Sequence, residues 1–86
     1  MEIILTDEAQ KDLYRHKRLG NKGNMKKIEQ LLHAIADDPF SGIGQPEELK
    51  YDLTGKWSRR INLEHRLVYS VNNDIIFIES LWGHYK

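Results

Sequence analysis

The sequence predicts an α+β protein in which two N-terminal helices pack on an antiparallel sheet, with elements in the order β-α-α-β-β-β and a possible further strand. Three observations lead to this prediction. A short apolar run precedes a polar helical stretch, a second helical stretch has the strongest 3.6-residue periodicity of the chain, and the second half is rich in β-branched and aromatic residues separated by turns. Since 86 residues can bury one modest core, we expect a single domain over residues 1–86.

The first half of the chain supplies one strand and both helices. Residues 2–5 are apolar and form the strand, and Thr6 is a favourable N-cap for the first helix. Residues 20–23 contain two glycines and end that helix. We expect Asn24 to cap the second helix, whose end is set by Pro39 because proline disfavours helix in the preceding residue. The apolar positions of the second helix are Met25, Ile28, Leu31, Leu32 and Ile35.

The second half supplies the remaining strands. A glycine-containing connection leads to a short strand within residues 47–53, with Leu49 directed inward. A hairpin over residues 56–71 follows, and residues 72–74 form a turn because asparagine tolerates left-handed geometry. Residues 75–78 are expected to form a buried central strand that continues through Leu81 and Trp82.

The hairpin has two distinct faces. Because side chains alternate along a strand, Trp57 and Ile61 are expected on the core face and Arg60 on the solvent face. The position of Arg66 depends on the connection. A three-residue loop at residues 63–65 places Arg66 on the same face as Arg60, whereas a two-residue loop separates them.

Composition excludes several classes of function. Thirteen basic residues balance thirteen acidic ones, so the chain lacks the basic excess that favours long-range capture of nucleic acid. There is no cysteine, no pair of histidines with metal-ligand spacing, and no apolar run of membrane-spanning length. We therefore expect a cytoplasmic protein with no metal or other cofactor. Between residues 56 and 66 the only acid is Glu64, and four basic residues form a cationic stripe: Lys56, Arg59, Arg60 and Arg66. A local stripe of this kind suits a small anionic target.

One set of side chains from the predicted sheet and its flanks could cleave RNA without a metal: Glu47, Lys50, Arg60, Arg66, His84 and Tyr85. A carboxylate can take the 2′-hydroxyl proton, arginines can neutralise the charge developing on phosphorus, and a histidine can protonate the leaving oxygen. An aromatic ring can stack on a base. These residue types occur in most small proteins, so ordinary surface roles stay open on this set alone.

The order of motifs in the second half is more specific. The stretch from Pro39 to Glu47 is followed by Leu49-Lys50, Leu53-Thr54-Gly55, Trp57 to Ile61 and Glu64 to Tyr69, with His84-Tyr85 near the end. In this order and spacing the sequence resembles the YoeB-type toxins of the RelE superfamily. The first half is similar only in its pattern of a strand and two helices.

The resemblance implies a RelE-like microbial ribonuclease fold and a ribosome-dependent messenger-RNA endonuclease, the toxin of a type II toxin–antitoxin pair that inhibits translation on the 70S ribosome. By family position, Glu47 is the general base, Arg66 the phosphate stabiliser, His84 the general acid and Tyr85 the residue that positions RNA. Cationic contacts to RNA are assigned to Lys50, Arg60, Arg59 and Lys56. The family also implies a YefM-type antitoxin partner and a homodimer.

Two features depart from the family pattern, and one alternative function remains. Lys86 extends beyond the expected terminal tyrosine. Leu81-Trp82-Gly83 replaces a more polar, basic approach to the His-Tyr pair, and Gly83 is expected to loosen the backbone there. The alternative is a non-catalytic regulator that binds nucleic acid through the same cationic hairpin.

Overall fold

The computed structural model of the protein describes residues 1–83, and the expectations for His84, Tyr85 and Lys86 lie outside the described residues. The elements follow the predicted order: β1 (Glu2–Leu5), α1 (Asp7–Arg18), α2 (Lys22–Asp37), β2 (Glu47–Glu48), a 3-10 helix (Tyr51–Leu53), β3 (Lys56–Arg60), β4 (Arg66–Asn72) and β5 (Ile75–Ser80). The α+β class and the packing of two helices on a sheet are confirmed.

The first helix begins where the sequence indicated, but the second begins earlier. The Thr6 hydroxyl accepts a hydrogen bond from the Ala9 N–H at 3.2 Å, which caps α1. In α2 the cap is Asn21, whose side chain accepts from the Asn24 N–H at 3.0 Å, so the prediction that Asn24 caps the helix is wrong. Asn24 is instead buried on the helix itself. The proline stop is confirmed, since α2 ends at Asp37.

The five strands form a mixed sheet in the order β1-β5-β4-β3-β2. All neighbouring pairs are antiparallel except β1 and β5, which are parallel, so the expectation of an all-antiparallel sheet is wrong at this edge. Two helices carry the chain away from β1, and the four later strands return it beside β1, where β5 runs in the same direction. β5 is therefore central, as predicted, although it ends at Ser80 and does not continue through Trp82.

One face of the sheet is covered by the helices and forms the core. The core is made of apolar side chains from both helices and from β4, β5 and their flanks: Ala9, Ile28, Leu31, Ile35, Ile61, Leu67, Tyr69, Ile76, Ile78 and Leu81. Trp57 packs against this cluster, which confirms that Trp57 and Ile61 share the core face. The other face of β3 and β4 carries Arg60 and Arg66 and is partly covered by the segment that follows β2.

That segment is shorter as a strand than predicted. Only Glu47 and Glu48 pair with β3, after which the chain bends into the 3-10 helix with Tyr51 at φ +60°. Leu49 still follows the strand closely, since its N–H donates to the Lys56 carbonyl at 2.8 Å. The result is a raised rim beside β3 on the face away from the helices.

Candidate active site

A cavity of about 240 Å³ lies between this rim and the sheet. It is lined by β2, the 3-10 segment and one residue each of β3 and β4: Glu47, Glu48, Leu49, Lys50, Tyr51, Leu53, Ser58 and Arg66. Three of the residues singled out in the sequence, Glu47, Lys50 and Arg66, therefore share one concave surface. A carboxylate, an ammonium and a guanidinium meet there beside apolar walls, which is a suitable setting for proton transfer next to an anion.

Strand register brings the carboxylate and the guanidinium together. Glu47 lies opposite Ser58 in the β2–β3 pair, and β4 flanks β3 on its other side. Arg66, the first residue of β4, is paired directly with Arg60, which ends β3 two residues after Ser58. Both arginines therefore share the face that carries Glu47, since residues two apart on a strand share a face.

The hairpin connection differs from both lengths considered in the sequence. Five residues, 61–65, join Arg60 to its partner Arg66. Five has the same parity as three, so the arginines lie on one face as the three-residue alternative required. The loop is organised by the Asn62 side chain, whose Oδ1 accepts the backbone N–H groups of Glu64 and His65, both at 2.8 Å.

Arg59 does not belong to the cationic surface. Its side chain is 0% exposed on the core face, and its guanidinium donates to the hydroxyl of Tyr69 and to three backbone carbonyls. These carbonyls belong to Asp38, Ser41 and Ile43, at 2.7, 2.9 and 3.0 Å. The assignment of Arg59 to RNA contact is therefore corrected: a buried guanidinium needs all its donors paired, and the loop of residues 38–43 supplies the acceptors.

The loop held by Arg59 leads directly into β2. The Tyr69 hydroxyl donates to the Pro39 carbonyl, and the Arg60 N–H donates to the Gly44 carbonyl at 2.7 Å. Gly44 has φ +85°, and a Cβ there would lie 2.5 Å from Leu31 Cδ2. Glycine is required for this close approach to the core. Arg59 and Gly44 thus fix the path of the chain three residues before Glu47.

Lys56 lies on the outer face but is already paired. Its Nζ is 2.9 Å from Glu79 Oε1, and the Ser70 hydroxyl donates to Glu79 Oε2 at 2.8 Å. Burial alone would raise the pKa of Glu79, but the hydrogen bonds from Lys56 and Ser70 outweigh it and hold that pKa below its usual range. The Lys56 charge is thus largely compensated within the protein, which weakens its assignment to RNA contact.

The predicted acid and stacking ring, His84 and Tyr85, lie outside the described residues, but the chain is well fixed immediately before them. Gly83 has φ +90° and is hydrogen-bonded on both sides, since its N–H donates to His65 Nδ1 at 3.0 Å and its carbonyl accepts from the Arg66 N–H at 2.8 Å. The expectation that Gly83 loosens the backbone is wrong. Glycine here permits a left-handed turn that two neighbours then hold.

Two histidines beside this turn were missed as site residues by sequence reasoning. His16 is 1% exposed and His65 is 8% exposed, and both rings contact Trp82, with centroids 4.8 and 4.2 Å away. Burial, and to a smaller extent His16, holds the pKa of His65 below its usual value. A signal for His16 was present, because it follows Ala9 by seven residues and so lies on the core face of α1.

No helix within residues 1–83 is long and apolar enough to cross a membrane. In the same part of the chain, no three histidine or acidic side chains are grouped so that they could hold a metal ion.

The fold and the sequence are shared with known bacterial toxins. Residues 5–85 match the protein family described as YoeB-like toxin of bacterial type II toxin-antitoxin system. Toxin YoeB of Synechocystis sp. is 46% identical over 86 residues, which cover 100% of this chain and 99% of the relative.

Solved structures agree with this relationship. The YoeB/ParE toxin from Agrobacterium tumefaciens superposes with a TM-score of 0.93 at 34% identity, covering 99% of this chain and 100% of that one. YoeB from Staphylococcus aureus has been solved as a dimer, with TM-score 0.88 and 43% identity, and in a YoeB-YefM complex, with TM-score 0.86 and 44% identity. Each covers 99% of this chain and 98% of the S. aureus chain.

The fold and the site therefore define a RelE-superfamily toxin of the type II toxin–antitoxin class. Within that class, the chain belongs to the YoeB-like toxin family. This confirms the family indicated by the motifs of the second half.

Proposed function

We propose that this toxin is a ribosome-dependent endoribonuclease that cleaves translated messenger RNA without a metal ion and so inhibits translation. The observation that carries the proposal is the cavity in which Glu47, Lys50 and Arg66 meet, with Arg60 directly opposite Arg66. A scissile phosphate with its neighbouring 2′-hydroxyl needs a base on one side and positive charge around phosphorus, and these side chains supply both.

The proposed reaction is an internal transesterification. Glu47 takes the proton of the 2′-hydroxyl as its oxygen attacks phosphorus. The bond from phosphorus to the 5′-oxygen breaks, and His84 gives that oxygen a proton, leaving a 2′,3′-cyclic phosphate and a 5′-hydroxyl. Arg66 stabilises the additional negative charge of the pentacoordinate state, and its planar guanidinium can contact two phosphate oxygens at once.

The remaining residues bind the RNA. Lys50 and Arg60 contact phosphates on either side of the cavity, and Tyr85 stacks on a base. Lys56 adds at most a secondary contact because Glu79 already compensates it. Arg59 has no direct role, since it is buried beneath the loop that leads to Glu47.

The proposal includes partners and location. The S. aureus relative has been solved as a dimer and in complex with YefM, which supports a homodimer and a YefM-type antitoxin for this chain. A toxin that acts on translated messages at the 70S ribosome works in the cytoplasm, and we place the protein there.

The test separates a nuclease from a protein that only binds nucleic acid. Single-turnover cleavage of a translated message and co-sedimentation with translating ribosomes are measured on wild type, Glu47→Gln and His84→Gln. Each variant should lose about 10²- to 10⁴-fold in cleavage rate, the usual contribution of one proton carrier, while keeping ribosome association. Glu29→Gln, which removes an exposed acid on α2, is the matched control and should cleave as wild type does.

Substitution of Arg66 should have a different effect from substitution of Glu47 or His84. Arg66→Lys removes the two-pronged donor geometry but keeps the charge, so cleavage should fall much more than association. Discrete cuts by wild type that are lost in Glu47→Gln support the assignment. Association without any cut by wild type would instead establish the binding regulator, and full activity in both Glu47→Gln and His84→Gln would contradict the assigned mechanism.

A further inference from the structure

Of the three residues that follow β5, the first and the third are held by their backbone groups. The Leu81 N–H donates to Asp12 Oδ2 at 2.9 Å, and the Leu81 carbonyl lies 2.7 Å from His16 Nε2. Two residues later, the Gly83 N–H donates to His65 Nδ1 at 3.0 Å. Two elements distant in sequence, α1 and the loop before β4, therefore hold one short turn. The Trp82 ring contacts both histidine rings, which also meet edge to face with centroids 4.9 Å apart.

These contacts define the protonation of both rings. A carbonyl oxygen can only accept, so His16 Nε2 carries a proton and donates to Leu81. His16 Nδ1 is then an acceptor for the Asn24 side-chain amide at 3.4 Å, and Asn24 accepts in turn from Asn62 at 3.0 Å. His65 must keep a lone pair on Nδ1 to accept from Gly83. With these partners, Nδ1 of each ring acts as an acceptor when the turn is formed.

The turn is also tied to the cavity. The Gly83 carbonyl accepts from the backbone N–H of Arg66, whose side chain lines the cavity with Glu47. The next residue in the chain is His84, the general acid of the proposed reaction. The ring nitrogens of His16 and His65 thus fix the main chain at the last described positions before that acid.

We propose, on the basis of the function proposed above, that His16 and His65 are positioning residues of the reaction. By holding the backbone at Leu81 and Gly83 they fix the point, beside Arg66, at which the chain continues to His84. Neither histidine touches the RNA. A displacement of about 1 Å in a reacting group can reduce a rate about 100-fold, so this positioning affects the chemical step more than ribosome association.

The test uses pairs of variants that keep or remove one hydrogen bond. His65→Asn keeps an acceptor near the position of Nδ1, whereas His65→Leu keeps bulk without an acceptor. His16→Gln keeps an N–H donor near the position of Nε2, and His16→Leu removes it. His33→Leu, on the exposed side of α2, is the control for loss of a histidine.

We expect each leucine variant at positions 16 and 65 to cleave about 10- to 100-fold more slowly than wild type in single-turnover reactions, with unchanged ribosome association. His65→Asn and His16→Gln should return to within about fivefold of wild type, since they restore the bond to the turn. The asparagine variant also loses the ring contact with Trp82, so its thermal midpoint should be no higher than that of His65→Leu. Activity that follows stability, with no rescue, would overturn the inference.

A second measurement needs no cleavage and keeps the two proposals separate. Amide hydrogen exchange at Gly83 should be faster in His65→Leu than in wild type or His65→Asn, and exchange at that amide should be unchanged in His33→Leu. If wild type cleaves and Glu47→Gln does not, but His65→Leu cleaves at the full rate, only the positioning role fails. If wild type does not cleave, the proposed function fails. Unchanged exchange at the Gly83 amide in His65→Leu would show, independently of cleavage, that His65 does not hold the turn.

Discussion

Replacing Arg59 by methionine should destabilise the protein far more than the same change at its neighbour Arg60. Arg59 makes four hydrogen bonds inside the protein, three of them to carbonyls of the loop at residues 38–43. Hydrogen bonds to a charged group contribute about 1.5 to 3 kcal/mol each, which gives an upper limit of about 6 to 12 kcal/mol. Burial of the guanidinium offsets several kcal/mol of this, and water can reach the loop carbonyls once the side chain is shortened.

The net loss in the free energy of unfolding is therefore about 3 to 5 kcal/mol, similar to the loss on removing one partner of a buried charged network. The whole free energy of unfolding of a domain of this length is about 4 to 13 kcal/mol. Arg59→Met should therefore be close to unfolded if the wild type is at the low end of this range. With a urea m-value of about 1 kcal/mol/M, the midpoint should fall by about 3 to 5 M or the transition should vanish.

Urea unfolding followed by circular dichroism measures this directly. Arg60→Met, half-buried on the outer face, is the matched control and should lose less than about 1 kcal/mol. Arg59→Lys should lie between, because an ammonium cannot match the fixed guanidinium geometry. Equal midpoints for Arg59→Met and Arg60→Met would refute the buried role, and loss of RNA contact without loss of stability at Arg59 would restore the role assigned from sequence.

Three further predictions concern pH, the close approach of the loop and the end of the chain. Because the pKa of His65 is lowered on folding, mainly by burial, the unfolded chain binds more protons below its ordinary pKa of about 6.5. The free energy of unfolding should therefore be highest above that pH and decline as pH falls through it. Urea midpoints at pH 7.5 and 5.5 should differ less in His65→Asn than in wild type, and an equal difference would contradict the contribution of His65. Gly44→Ala should lower the free energy of unfolding by about 2 to 4 kcal/mol because the new Cβ meets Leu31. Gly20→Ala, also at positive φ but in open space, should lower it by about 1 kcal/mol, and equal urea midpoints for the two variants would contradict this prediction. Removing Lys86 should leave cleavage within a few-fold of wild type while removing residues 84–86 should abolish it, and a large loss from the single deletion would show that Lys86 takes part.

Local signals in the sequence were sufficient for most of the secondary structure. Each of these signals involves residues close together in the chain: the Thr6 cap, the periodicity of α2 and its proline stop. All three are confirmed. Asn24 was misassigned as a cap because Asn21 offers an equivalent side chain three residues earlier, and only the packing of Asn24 against His16 and Asn62 separates the two. The parallel pairing of β1 with β5 depends on contacts across the whole chain and has no local signal.

The meeting of Glu47 with Arg66 was predictable in part. Alternation along β3 and β4 limited Arg66 to one of two faces, but the loop length that decides between them is set by the hydrogen bonds of Asn62 in the folded hairpin. The family resemblance assigned roles to these residues without giving a position. Strand register then brings Glu47 and Arg66 to the two sides of β3.

Arg59 and His16 show why alternation should be weighed above residue type. Arg59 lies between Trp57 and Ile61 on the core face by strand alternation, and His16 lies on the core face of α1 by helical spacing. From the sequence, Arg59 was nevertheless assigned to RNA contact, and His16 was given no role. Their backbone hydrogen-bond partners are distant in sequence, from 16 residues for Arg59 and Ile43 to 65 for His16 and Leu81, so no local pattern reveals them. Buried polar groups are nearly always hydrogen-bonded. A charged or titratable residue that periodicity places on a core face therefore predicts a set of distant backbone acceptors or donors, and in this protein those partners are the loop before Glu47 and the turn before His84.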